Sequence, residues 1–252
     1  MLHHLAPAML NRRKRPDPYW NSAGTVLLLD CQGSNLGTAF VDRSPRKQTV
    51  TAVGNTAYAA RLDLERGGGS CITTDGAGDA IKVASSTDFD FGADDFTIEL
   101  DVLPTVVNSG WLVVRRNTTT PFAPFGVLLA AGNNIRMVYA SGTSSYEIDV
   151  TSTNGLFTND TWHKVVFGRN GNSFGVYVDD VQACSGSASS TMRTLDEDIA
   201  FGAASAAGSS PNLAGYFDNL RITKGYWRYP SLNSGFIDTG SRIYPAGRLP
   251  AY

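Results

Sequence analysis

Histidine and cysteine, the residues from which many catalytic and metal centres are built, are nearly absent: the 252 residues hold three of each. Cys31, Cys71 and Cys184 stand far apart with no C-x-x-C pair, which fits neither a thiolate metal site nor a closed disulfide set. Three free thiols in a reducing compartment, or one bridge with one free thiol, are the readings left. His3 and His4 sit near the N-terminus and His163 in an apolar run, too few for a histidine metal centre or a triad, so His163 is expected to be structural. Charge is sparse as well. Charged residues make up 17%, and 21 basic against 23 acidic side chains leave a net charge of -2. No global positive field is there to recruit nucleic acid or an anionic membrane. No window approaches the roughly 20 apolar residues that cross a bilayer. Met1 to Leu10 is mildly apolar, but its positive charges follow it, whereas a secretory signal places them in front. A soluble product is expected where it is made. No G-x-x-x-x-G-K-[ST] loop occurs, and Gly67-Gly68-Gly69 precedes a strand pattern, as a hairpin would. Helical patterning is equally scarce, with only Met192 to Ile199 suited to a short helix.

What is present is β rhythm. From Thr25 onward, Gly, Ser, Asn and Asp punctuate short, β-branched, often alternating stretches. Thr25 to Asp30 is a compact apolar run. Asp95 to Val102 alternates, placing Phe96, Ile98, Leu100 and Val102 on one face and Thr97, Glu99 and Asp101 on a solvent-facing other. Further strands are expected at Gly110 to Arg115, Phe125 to Ala130, Asn134 to Ala140, Ser145 to Thr151, Thr161 to Arg169, Ser173 to Val181 and Gly215 to Thr223. The turns at Ala131 to Asn134, Asn154-Gly155 and Arg169 to Asn172 have the matching chemistry. The pattern predicts an all-β protein: a two-sheet antiparallel jelly-roll sandwich over residues 25–229, with extended N- and C-terminal arms.

The arms differ from the body. Residues 1–24 carry Arg12, Arg13, Lys14 and Arg15 against Asp17, a charge of +3 that leaves -5 for the remainder. Pro16 and Pro18 follow the basic cluster, and Leu2, Leu5, Met9 and Leu10 precede it. Residues 230–252 hold Pro230, Pro245 and Pro250. A docking arm that becomes ordered on a neighbouring subunit explains this composition better than DNA binding does.

Several blocks in order carry a family likeness. They are Asp17-Pro18-Tyr19-Trp20, Phe40 to Ser44, Val50 to Gly54, Asp75-Gly76-Ala77-Gly78-Asp79, Asp95 to Leu100, Trp162 to Val166, Val176 to Asp180 and Gly215 to Tyr229. In this the chain resembles the laminin-G-like family of concanavalin A-type sandwiches, in the version common in bacteriophage structural proteins. Two positions depart from the pattern: Asp180 replaces the usual hairpin glycine and Thr74 an apolar residue. The resemblance implies a non-enzymatic virion protein, made soluble in the host cytoplasm. It would display a lectin-like domain, as a tail or fibre component touching host-surface glycans or as a capsid decoration or cement protein; a free carbohydrate-binding module is the reading outside this class. Its partners would be other virion subunits, reached through the arms, and further copies of itself.

Candidate chemistry is thin. Some sandwiches of this shape are glucanases with a Glu-x-Asp-x-(x)-Glu strand whose alternate carboxylates project from one face. Glu99-Leu100-Asp101-Val102 and Glu147-Ile148-Asp149-Val150 both begin the motif, then continue into Leu103-Pro104 and Thr151-Ser152, so the proton donor is missing. No cofactor is required. The metal that loop oxygens would suit is a structural Ca²⁺, with Asp75, Asp79 and Asp218 as candidate ligands. Asp218 is placed on the face of Leu220 and Ile222, hence buried, where an arginine or backbone amides would serve in place of an ion. Trp111, Tyr139, Tyr146, Tyr226 and Trp227 are the aromatics expected to be exposed and so able to stack on sugar rings, though no cluster among them marks a sugar pocket.

Overall fold

The computed structural model describes residues 24–61, 69–106, 110–116 and 121–229. The basic cluster Arg12, Arg13, Lys14 and Arg15, residues 230–252 and Gly67-Gly68 lie outside them. The strands in chain order are β1 (Thr25–Leu29), β2 (Val50–Val53), β3 (Ala57–Arg61), β4 (Gly69–Asp75), β5 (Ala80–Val83), β6 (Phe96–Pro104), β7 (Gly110–Arg115) and β8 (Phe125–Ala130). They continue with β9 (Asn134–Tyr139), β10 (Ile148–Thr151), β11 (His163–Asn170), β12 (Ser173–Val178), β13 (Val181–Ser187), β14 (Ile199–Phe201) and β15 (Ala214–Lys224). One sheet has eight strands in the order β13-β12-β11-β6-β15-β4-β3, with β1 added beside β15; the other has seven, in the order β10-β9-β8-β7-β14-β5-β2. The pairings are antiparallel, so the two sheets form the expected all-β sandwich. Among the described residues no helix is long and apolar enough to cross a membrane.

Alternation in β6 sends Phe96, Ile98, Leu100 and Val102 between the sheets, opposite Phe125, Val127 and Leu129 of β8. Phe96 stacks on Phe91 at 4.4 Å and meets Phe167 edge-on at 5.3 Å. Each such side chain contributes about 1.5–3 kcal/mol by burial, which makes this aromatic layer the centre of the fold. Two edges are covered. The methyl groups of Ile148 fill the space where Gly186 of β13 has no side chain, and the outer edge of β3 is bonded by Leu36 N–H to Tyr58 O (2.7 Å) and Tyr58 N–H to Gly37 O (2.8 Å), which blunts an edge that could otherwise pair with another chain.

Three expectations are corrected here. Residues Met192 to Ile199 form no helix. The fully buried Arg115 donates to the carbonyls of Leu195 and Glu197, and Met192 N–H donates to Gly92 O, so the segment's backbone groups are bonded outward and it lies extended. Thr97, Glu99 and Asp101 do not face solvent; they point away from the core but are at most 1% exposed. Asp218 is buried as expected, though on the other face from Leu220 and Ile222. It pairs with Asp101, whereas Arg221 pairs with Glu99, so β15 carries one extra residue there, with Asn219 at φ 52°. That bulge reverses the alternation: Phe217, Leu220 and Ile222 all enter the core, and Asp218 and Arg221 share the outer face.

Candidate functional site

The outer face of the eight-stranded sheet carries a buried, charge-balanced cluster. Register places Glu99 and Asp101 of β6 between Lys164 of β11 and Asp218 and Arg221 of β15. Arg221 grips Glu99 with two bonds, Nε to Oε2 at 2.7 Å and Nη2 to Oε1 at 2.9 Å. Arg228 lies 3.1 Å from Oε2, Lys164 lies 3.9 Å from Oε1, and the Tyr229 hydroxyl donates to Oε1. Asn219 Nδ2 donates to Asp101 Oδ2 at 2.7 Å, and its N–H to Asp218 Oδ1 at 2.8 Å. Burial alone would raise the Glu99 pKa, but Arg221, then Arg228 and Lys164, outweigh it and hold the carboxyl well below the usual range. Burial, then the Glu99 charge, push the Tyr229 phenol far up, so it stays a donor. A general acid must hold a proton near neutral pH. Glu99 cannot, and Trp227 and Tyr229 lie over the same face beside Val166 and Tyr177. The cluster fastens the segment after β15 onto the sheet.

The second partial motif is engaged too. Glu147 accepts from Ser141 and Ser190, and Asp149 is gripped by Arg136 at 2.6 and 2.7 Å. His163 has the structural role expected. Its Nδ1 donates to Asp179 (2.6 Å), while Nε2 accepts the Thr158 N–H (3.1 Å), so the Thr158 hydroxyl 3.2 Å away finds no free base.

The three calcium candidates fall in two places. Asp75 and Asp79 bound the β4–β5 loop. Asp75 pairs with Ala214, and Asp218 lies four residues further along β15, about 13 Å at strand rise. Asp79 is buried and accepts N–H groups of Asn55 and Asp75 on its two oxygens, at 2.9 and 2.8 Å. The exposed Asp75 accepts from Asn55 and Ala77, which lower its pKa. A cation would have to displace these donors, and among the described residues no group of three or more His, Cys, Asp or Glu side chains is arranged to hold one. Chelation with EDTA is therefore expected to leave the melting temperature unchanged; a fall of several degrees would restore the metal site.

The aromatic candidates divide between the sheets. Tyr139 is in the core, its hydroxyl donating to Ser190 O at 2.8 Å, and Trp111 is also buried, contrary to their expected exposure. Tyr226 is 52% exposed near Gly24, and Trp227 lies across Gly168, where a Cβ would come within 2.6 Å of the indole. Trp111 and Tyr146, by contrast, come together on the outer face of the seven-stranded sheet. Trp111 lies flat over Gly126, where a Cβ would come within 2.5 Å of its ring. Val114, Leu128, Val138 and Ala200 pack around it, with the half-buried Tyr146 against them. The Tyr146 ring meets Phe122 edge-on at 5.0 Å, and its hydroxyl is fixed by Pro121 O (3.1 Å) and Ala123 N–H (3.3 Å). Two half-buried arginines border this patch. Arg193 donates to Phe122 O, and Arg116 follows Arg115, the partner of Phe125. Each keeps a buried Nε without an acceptor, a deficit of about 1–3 kcal/mol. Neither arginine was legible as a site residue, because no sequence signal marks a cation that lacks a partner.

A lectin-type sandwich whose central carboxylates are sealed, with an aromatic patch on the opposite sheet, is the class this geometry defines. A family model described as the concanavalin A-like lectin/glucanases superfamily (Laminin_G_3) matches residues 75–226, and the chain belongs to that family. Comparison with curated proteins finds no match. Among solved structures, the chain is similar to the binding domain of Paraclostridial Mosquitocidal Protein 1, at 15% identity and a TM-score of 0.62, covering 81% of this chain and 49% of that one. It is also similar to the receptor binding domain of botulinum neurotoxin D (15% identity, TM-score 0.59, covering 81% and 50%). The receptor binding domain of the botulinum neurotoxin C/D mosaic serotype gives 14%, 0.59, 81% and 49%. The chain thus spans about half the length of these structures, and at such identity the likeness is one of fold.

Proposed function

We propose that this chain is a non-enzymatic bacteriophage virion protein that displays a lectin-like domain for host-surface glycan adhesion, as part of a tail or fibre. The observation that carries the non-enzymatic part is the engagement of Glu99, whose oxygens face two arginines, a lysine and a tyrosine hydroxyl. The binding part is supported by family membership, by the fold shared with domains described as receptor-binding, and by the half-buried Tyr146–Phe122 pair beside the buried Trp111 cluster. Aromatic faces stack on the apolar faces of pyranose rings.

Display and mounting fall on opposite sides in this reading. Gly24, whose carbonyl accepts Lys224 N–H at 2.8 Å, and Tyr229 both lie against the eight-stranded sheet, away from the aromatic patch. Arms leaving there would attach the domain to other virion subunits and to further copies of itself, leaving the seven-stranded sheet outward. Deletion of residues 1–24 is expected to abolish incorporation into particles while the labelled domain still binds host cells. Full incorporation of the truncated chain would overturn the arm's role. Particles that lack the domain yet adsorb normally would favour capsid decoration over adhesion.

A further inference from the structure

We infer that the glycan taken by the seven-stranded face is an acidic one, its carboxylate held by Arg193 and Arg116 beside the Tyr146–Phe122 pair; this rests on the adhesion reading. Arg193 Nη2 donates to Phe122 O, and the buried Nε of Arg193 and that of Arg116 have no acceptor among the described residues. The fully buried Arg115 and Arg221 are paired with carboxylates; Arg193 and Arg116 are only half-buried, and the part of each guanidinium that reaches solvent has no carboxylate beside it among the described residues. Desolvation lowers the Arg193 pKa, with only Tyr146 opposing it, and no carboxylate counters the cost. The neighbouring acids are committed elsewhere. Asp149 is held by Arg136, Glu147 by Ser141 and Ser190, Asp196 by Ser85, and Asp198 by Lys82. Glu197 gives its carbonyl to Arg115.

The two guanidinium groups flank one short stretch of chain. Arg116 extends β7 on the outer face, one residue past the Arg115–Phe125 pair and so beside Pro124; Arg193 reaches the carbonyl of Phe122, two residues earlier. A pyranose lying against the Tyr146 and Phe122 rings would present a ring or glycerol-linked carboxylate to these donors. A guanidinium matches a carboxylate with two parallel N–H···O bonds, which no neutral hydroxyl reproduces. Sialic acids and uronic acids share that chemistry, so both are used as probes.

The test is calorimetric titration of the full chain with 3'-sialyllactose, with a galacturonic acid oligomer and with neutral lactose, followed by a wider array of acidic and neutral glycans. At least one acidic glycan is expected to bind about tenfold or more tightly than its neutral counterpart. Arg193→Gln and Arg116→Gln should each remove most of that preference with the melting temperature unchanged, since neither arginine holds an ion pair. Lys47→Gln, an exposed lysine elsewhere, should leave it intact. Binding confined to neutral glycans, or acidic binding indifferent to both arginine variants, would overturn the acidic specificity while leaving adhesion standing. Failure to bind any glycan would overturn both.

Discussion

Replacing Glu99 by glutamine is expected to lower the melting temperature by roughly 6–20 °C, because it leaves Arg221, Arg228 and Lys164 buried without their shared counter-charge, a loss of about 3–5 kcal/mol. Thermal unfolding followed by circular dichroism measures it. The cause is separable from packing: a double variant, Glu99→Leu with Arg221→Leu, should recover part of the loss, since apolar replacement of a buried ion pair is often near neutral. The same group sets acid sensitivity. Glu99 has a lowered pKa when folded and about 4.3 when unfolded. Its contribution is therefore complete above about pH 5 and declines as pH falls below about 4. The glutamine variant should lose less stability than the parent over that acid range. A Glu99→Gln protein as stable as the parent would refute the latch.

The second large effect is at Arg115. This guanidinium sits in the core yet ties two surface segments together, with bonds to Phe89 O (2.8 Å), Asp90 Oδ1 (2.7 Å), Glu197 O (3.2 Å) and Leu195 O. Arg115→Met keeps much of the apolar volume but strands these acceptors, at a cost of about 2–5 kcal/mol. Hydrogen exchange should accelerate at Met192, whose amide is bonded to Gly92 O, ahead of the amides in β6 and β11. Proteolysis of the parent and the variant should likewise differ between residues 188 and 198. Equal exchange in both proteins would show that packing, and not Arg115, holds that segment extended.

Most of the body's strands were legible because their alternation is strong. β6, β7, β8, β9, β11 and β15 match the predicted segments to within two residues. β4 follows the Gly67-Gly68-Gly69 run as expected, whereas β3, β5, β13 and β14 were missed; AYAAR and VQACSGS are small and polar, and AIKV and IAF are four and three residues long. Their β character comes from pairing with a neighbour, which no local pattern contains. The site was legible only in part. Trp111 and Tyr146 were named as aromatics, but their meeting on one face depends on the β7–β8 and β8–β9 registers. Glu99 and Asp101 were recognised as a pair on one face and assigned to solvent, because the cations that bury them come from β11, β15 and Arg228, more than 60 residues away in sequence. Asp218 was expected to be buried on the core side; the bulge at Asn219 puts it on the opposite face, a change of parity that strict alternation cannot foresee.

The central claim is that this sandwich binds through its seven-stranded face and does no chemistry with its carboxylates. Glycan-array binding of the full chain beside a Tyr146→Ala variant tests it most directly. Tyr146 packs on the buried cluster and bonds Pro121 O and Ala123 N–H, so its loss should lower the melting temperature by a few degrees while the sandwich stays folded. The expected result is a restricted set of bound glycans for the parent and their disappearance in a variant whose circular dichroism remains that of the folded parent. Binding that survives Tyr146→Ala, or cleavage of any arrayed β-glucan that depends on Glu99, would contradict the account.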